Sequence, residues 1–150
     1  MKLKDYLPEP NIAADLKGTT KVEVIKELLS VMSAEGLVSD YDSALEDILA
    51  REGYLSTGLE NGLAIPHAKS DGIKKLTMVF GLSKKGVDFE SLDQKPAQLI
   101  FLVLSPKDTS GPHIQALAVI TRNLKEPVVR EKLKNASSAG EIAEIFEAFD

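Results

Sequence analysis

Apolar residues recur at helical spacing twice in the first third of the chain. Val24, Ile25, Leu28, Leu29 and Met32 form one stripe. Thr20 and Glu23 stand ahead of it at the spacing of a capping box, and Gly36 closes it. Ala44, Leu45, Ile48 and Leu49 form a second stripe, with candidate N-caps from Ser39 to Asp42 and an end near Gly53. Arg51 and Glu52 fall in its last turn, where a cation complements the negative end of the helix dipole. The pattern then changes. Leu63-Ala64-Ile65 reads as a short strand and Leu76 to Leu82 as a longer one. A loop containing Gly86 and the Asp93-Gln94-Lys95-Pro96 turn leads to Ala97–Leu104. The run from Leu99 to Leu104 has no polar alternation, so it predicts a central strand buried on both faces.

The last third is helical again. A polar connection from Ser105 to Pro112 ends where His113 opens a helix, with Ile114, Leu117, Ala118 and Ile120 or Thr121 facing inward. Glu126-Pro127 starts a short helix, since proline is tolerated at the first helical position. A second capping box, Ser138 to Glu141, opens a final helix burying Ile142, Ile145, Phe146 and Phe149. Helices, strands and helices in that order predict a single three-layer α/β domain over residues 1–150, a mixed β-sheet flanked by α-helices on both faces.

Composition narrows the function. With 43% hydrophobic residues the chain can bury a sizeable core, yet no apolar run is long enough to span a membrane. The N-terminal residues lack a signal peptide's apolar stretch, so a cytoplasmic location without membrane insertion is expected. The 150 residues hold no cysteine, which removes thiolate catalysis and cysteine-based zinc sites from them. A net charge of −5, scattered cations and few aromatic residues argue against nucleic-acid binding and suit a basic protein partner.

The chain has two histidines, and each follows a proline: Pro66-His67 and Pro112-His113. His67 ends a glycine-punctuated segment and a short strand, and His113 opens a helix. Ends of elements in α/β folds form the usual ligand crevice, so the two can meet there. No HxxxH or HExxH spacing supports a metal site, no GxSxG a serine hydrolase, and no GxGxxG or GxxxxGK[ST] a nucleotide cofactor. An imidazole acting as a nucleophile or as an acid–base remains, and one such nucleophile is a histidine that accepts a phosphoryl group. It requires an unprotonated, exposed nitrogen, cations and N–H donors for the phosphoryl oxygens, and an acceptor to fix the tautomer. Arg51 can be the cation. His113 with Thr57 or Ser56 can donate, as can backbone N–H groups around Ala68 and Lys69 or at the start of the helix at His113. The competing reading is a binding domain whose histidines are structural.

Arg51-Glu52 and the segment Ser56-Thr57-Gly58-Leu59-Glu60-Asn61-Gly62-Leu63-Ala64-Ile65-Pro66-His67-Ala68 resemble the active-site signature of the IIA domains of the phosphoenolpyruvate-dependent sugar phosphotransferase system, fructose–mannitol type. The likeness continues through Gly86-Val87-Asp88-Phe89, Leu104-Ser105-Pro106, His113-Ile114-Gln115-Ala116-Leu117, Val129 to Leu133 and Ala136-Ser137-Ser138. The resemblance implies a phosphoryl carrier that needs neither metal nor cofactor. His67 would accept the group from phospho-HPr and pass it to a cysteine of IIB, serving the membrane component IIC indirectly. It aligns His113 with the second active-site histidine and Arg51 with the nearby arginine. Glu60 departs from the small residue common in that family. A regulatory relative of the nitrogen-metabolism type, phosphorylated at the same histidine, is the alternative; the residues after His67 favour the fructose branch.

Overall fold

The structure, a computed structural model, describes residues 1–149. Two single-turn 3₁₀ segments, Leu3–Asp5 and Glu9–Asn11, lead into β1 (Ile12–Ala13). Helices α1 (Lys21–Ala34) and α2 (Tyr41–Tyr54) follow, then β2 (Leu63–Ala64), β3 (His67–Lys69), β4 (Thr77–Val87) and β5 (Ala97–Ser105). Helices α3 (Gly111–Leu124), α4 (Pro127–Lys134) and α5 (Ala139–Phe146) complete the chain. The first capping box forms as expected: the Glu23 N–H donates to Thr20 Oγ1 at 3.2 Å, and the Thr20 N–H donates back to Glu23 Oε1 at 3.1 Å. At α5 the Glu141 N–H donates to Ser138 Oγ at 3.1 Å.

The strands form one mixed sheet. β4 and β5 pair antiparallel, β1 runs parallel to β4, and β2 and β3 both run parallel to β5 along its other edge. Leu99, Phe101 and Val103 of β5 face a core shared with α3, α4 and α5. Ile100, Leu102 and Leu104 face the core shared with α1 and α2. The uninterrupted apolar run is thus a strand covered on both sides, in a three-layer arrangement. On the α3–α5 side Phe80 and Phe101 pack at 4.7 Å between ring centroids, and Phe146 meets Phe80 edge-on at 5.2 Å. On the other side Gly81 admits α1, because a Cβ there would lie 2.6 Å from Leu16 Cδ1 and 2.8 Å from Leu28 Cδ2.

Four local expectations are corrected. β1 is an additional strand of two residues, too short to show a period. β4 runs on through a register shift to Val87, where a loop was expected; its exposed Lys84 and Lys85 lie beyond the part that the helices cover. The strand ending at Ile65 stops at Ala64 and resumes at His67, since Pro66 has no N–H for the ladder. The Pro66 carbonyl still accepts from the Val103 N–H at 3.0 Å, so the chain keeps its course along β5. Finally, α3 presents His113, Ala116, Val119, Ile120 and Leu124 to the core. Leu117 and Thr121 are half-buried, while Ala118 and Ile114 are exposed, Ile114 to 65%. The helix is rotated by about one residue from the expected face, and that rotation is what buries His113.

Candidate active site

The register of β3 on β5 decides where His67 points. His67 pairs with Val103, Ala68 with Leu104 and Lys69 with Ser105. Paired residues of neighbouring strands share a face. Ala68 therefore joins the α1–α2 core with Leu104, while His67, Lys69, Val103 and Ser105 face α3. The first turn of α3 brings His113 to the same place. The two imidazoles lie 5.6 Å apart between ring centroids, tilted by 57°. His67 thus opens a strand rather than closing one, and it is half-buried.

Each ring is held through Nδ1. The Nδ1–H of His67 donates to the Ile65 carbonyl at 2.6 Å. A carbonyl only accepts, so the proton sits on Nδ1 and Nε2 carries the free lone pair. Nδ1 of His113 is hydrogen-bonded to Ser105 Oγ at 2.6 Å, and both groups are buried. Burial, then the neighbouring His67 and Lys69, push the His113 pKa down to about 4. Burial also lowers that of His67. The bond to Ile65 opposes it, the Arg51 charge adds to it and the Glu52 charge opposes it. Both rings are therefore neutral at neutral pH.

His67 lines a cavity of about 370 Å³ with Arg51, Leu55, Ile65, Leu117 and Thr121 among its walls. Arg51 reaches it from the last turn of α2 and donates from Nη1 to the Leu55 carbonyl at 2.7 Å. Three other cavities on the surface are larger, at about 530, 510 and 400 Å³, but none of the three is lined by a histidine. Glu60 is exposed and lines an adjoining depression that shares Leu59, Leu92 and Thr121 with the His67 cavity, but it does not line that cavity itself. Lys69 donates from Nζ to Ser110 Oγ at 2.7 Å, beside the start of α3.

Ser56 and Thr57 differ from the expectation that they donate toward the site. The Thr57 hydroxyl donates to Glu52 Oε2 at 2.6 Å, and the Ser56 hydroxyl donates to the Phe89 carbonyl. Both protons are committed, so these side chains hold the loop between α2 and β2 instead of pointing a donor at His67. Gly58 lets that loop lie close to its neighbour: a Cβ there would sit 2.9 Å from the Phe89 carbonyl oxygen.

Sequence reasoning left Glu52 without a role. It is 6% exposed and continues the buried stripe of Ala44 and Ile48 at helical spacing. Its Oε1 accepts from the Thr57 N–H at 3.0 Å and pairs with Lys21 Nζ at 3.2 Å. A carboxylate at a core position of a helix must be paired, and that was the available signal.

The profile of the family described as phosphoenolpyruvate-dependent sugar phosphotransferase system, EIIA 2, matches residues 5–149. This chain belongs to that family. The EIIA chain is 40% identical, over 126 residues, to the fructose-specific EIIA component of the phosphotransferase system of Haloferax volcanii, covering 84% of this chain and 82% of that one. Its fold matches the crystal structure of the nitrogen regulatory protein IIA-Ntr from Neisseria meningitidis with a TM-score of 0.87 and 32% identity, over 96% of this chain and 98% of the other. It also matches the IIA mannitol protein of Escherichia coli, solved in complex with phosphorylated IIB mannitol, with a TM-score of 0.79 and 26% identity over 91% and 94% of the two chains. Among the described residues of the EIIA chain no helix is long and apolar enough to cross a membrane.

Proposed function

We infer that this EIIA chain is a phosphohistidine carrier, taking a phosphoryl group from phospho-HPr on Nε2 of His67 and passing it to a cysteine of IIB, in fructose-type sugar uptake. The observation that carries this reading is the 2.6 Å bond from His67 Nδ1–H to the Ile65 carbonyl, which leaves Nε2 unprotonated in a half-buried ring beside a cavity. Burial keeps the ring neutral, as a nucleophile must be.

The step balances without a net proton. Nε2 of neutral His67 attacks phosphorus in line as the phosphorus–nitrogen bond of the donor breaks, and the donor imidazole leaves neutral. The His67 proton stays on Nδ1 throughout, hydrogen-bonded to the Ile65 carbonyl. It stabilises the positive ring that carries the phosphoryl group. Such transfer depends on positioning and charge stabilisation more than on covalent participation by the protein. Arg51 supplies the cation on the cavity wall. His113 supplies a donor if the Ser105 hydroxyl gives its proton to Nδ1, which places the ring's own proton on Nε2.

Two partners must dock here in turn. Among the described residues six large hydrophobic side chains are exposed, and four of them, Tyr54, Leu55, Leu92 and Ile114, belong to segments that build the site. An apolar surface of this kind suits transient protein contact. The E. coli IIA mannitol complex, with its phosphorylated IIB, supports a IIB acceptor for this chain. The likeness to the Neisseria nitrogen regulatory protein favours a second reading, in which the same phosphorylation is a signal and no IIB follows.

The test is phosphorylation from phosphoenolpyruvate through Enzyme I and HPr, read by phosphorus NMR. Wild type is expected to give a phosphohistidine signal, His67→Ala none, and His113→Ala a slower rise. A His67→Ala protein that is phosphorylated at the wild-type rate overturns the assignment. Passage of the group to a fructose-type IIB cysteine separates transport from signalling.

A further inference from the structure

A continuous set of hydrogen bonds runs from the buried end of α2 to the His67 ring. Lys21, the first residue of α1, pairs with Glu52 at 3.2 Å, its side chain only 15% exposed. Glu52 grips Thr57 twice, through the Thr57 N–H at 3.0 Å and its hydroxyl at 2.6 Å. The Thr57 carbonyl accepts from the Ile65 N–H at 3.1 Å, and the Ile65 carbonyl accepts from His67 Nδ1–H at 2.6 Å. Each member is an obligatory donor or acceptor, and Glu52, Thr57 and Ile65 are buried. Leaving any of them unmade is costly, so the geometry of one bond constrains the next.

The arrangement has a chemical consequence at residue 65. The Ile65 carbonyl precedes Pro66, which has no N–H, and β2 ends one residue earlier. The ladder holds the chain on either side, at Ala64 and through the Pro66 carbonyl, but makes no bond to this carbonyl itself. Between those anchors residue 65 is held by its N–H on the Thr57 carbonyl, and Thr57 is held by Glu52. We propose that Glu52, clamped on Thr57 and paired with a Lys21 that it shares with the exposed Glu90, is a positioning residue that selects the tautomer of His67 and thereby the nitrogen that attacks phosphorus. This rests on the phosphoryl-carrier reading for its purpose, but the tautomer itself exists with or without a phosphoryl donor. Partners that orient a metal-bound imidazole from behind carry effects of about 10- to 100-fold, and an effect at the lower end of that scale is expected here.

The experiment uses the full chain labelled with ¹⁵N at histidine. Long-range proton–nitrogen correlation reads the protonation of each ring nitrogen in the unphosphorylated protein at mildly alkaline pH. Wild-type His67 is expected to hold its proton on Nδ1. Thr57→Val removes the hydroxyl at nearly constant shape, and a substantial share of the Nε2–H form is expected to appear. Thr57→Ser, which keeps the hydroxyl, is expected to restore the wild-type signature. In transfer assays Thr57→Val should lower kcat by roughly tenfold with little change in KM for the phospho-donor, and Thr57→Ser should recover it. Glu52→Gln serves if Thr57→Val does not fold, because the amide keeps one acceptor for Thr57 and loses the charge that pairs Lys21.

An unchanged His67 tautomer in a folded Thr57→Val or Glu52→Gln protein overturns the proposal, even if transfer slows. A shifted tautomer in a protein whose wild type accepts no phosphoryl group upholds the positioning role and refutes the carrier reading. A shifted tautomer together with the loss of kcat upholds both.

Discussion

The central strand β5 and the segment from Arg51 to His67 are held by opposite means. β5 is apolar on both faces, and its neighbours are side chains that need only fill space. The segment before β3 is held by directed bonds: Glu52 to Thr57, Thr57 to Ile65, Ile65 to His67, and Ser56 to Phe89. A packed core tolerates a change of shape at constant volume, whereas a chain of hydrogen bonds does not tolerate losing one member. The first region supplies stability and the second supplies the aim of one ring.

The largest effect that separates them is on stability. Phe101→Ala empties a site against Phe80 and Phe146 and is expected to cost about 3–5 kcal/mol in urea unfolding. Phe101→Leu should cost clearly less, with phosphoryl acceptance per folded molecule unchanged. Loss of acceptance in a fully folded Phe101→Leu protein would show that the two regions are not separable in this way.

Ser105→Ala tests the join between them, because Ser105 ends the apolar strand and yet bonds His113. A buried Nδ1 left without a partner should cost about 1–3 kcal/mol. Transfer to His67 should slow while the protein stays folded. A stable variant with unaltered transfer would make Ser105 a bystander.

The pH dependence sharpens the same point. His113 titrates near 4 in the fold against 6.5 when free. As pH falls the unfolded chain takes the proton first, so this contribution to stability is complete above about 6.5 and lost as pH falls toward about 4. His67 is shifted in the same direction. Between about pH 7.5 and about pH 4.5 the wild type should lose more stability than His113→Gln, measured as urea midpoints. Equal losses would contradict the neutral, buried ring.

The smallest effect is at a cap remote from the chemistry. The Ser43 N–H donates to the Asp40 carboxylate at the start of α2. Asp40→Ala should cost about 1 kcal/mol and leave transfer unchanged. A large fall in transfer would mean that the start of α2 contributes to aligning its far end at Arg51.

The apolar half of the molecule was legible because burial leaves a period. Val24 to Met32, the run from Leu99 to Leu104 and the capping box at Thr20 map directly onto elements, while at Ser138 only the side-chain cap forms and the Glu141 carboxylate accepts from the Ser137 N–H instead. The face of α3 was misread because Ile114 and Ala118 resemble core residues. The structure spends that stripe differently, burying His113 and exposing Ile114. Arg51, His67 and His113 stood out through residue type and the family resemblance, and the structure brings the histidines together by the register of β3 on β5. What did not show was the direction of the hydroxyls. Ser56 and Thr57 read as donors to a ligand because sequence gives the donor and not its angle. Glu52 read as one more charge near a helix end, although its place after Ala44 and Ile48 made it a buried carboxylate in need of a partner.

The most direct test of the central claim is to phosphorylate the ¹⁵N-histidine protein through Enzyme I and HPr and locate the phosphorus by its coupling to ring nitrogen. The structure predicts phosphorus on Nε2 of His67, with the proton still on Nδ1 beside the Ile65 carbonyl. Phosphorus on Nδ1 of His67, or on either nitrogen of His113, would contradict it.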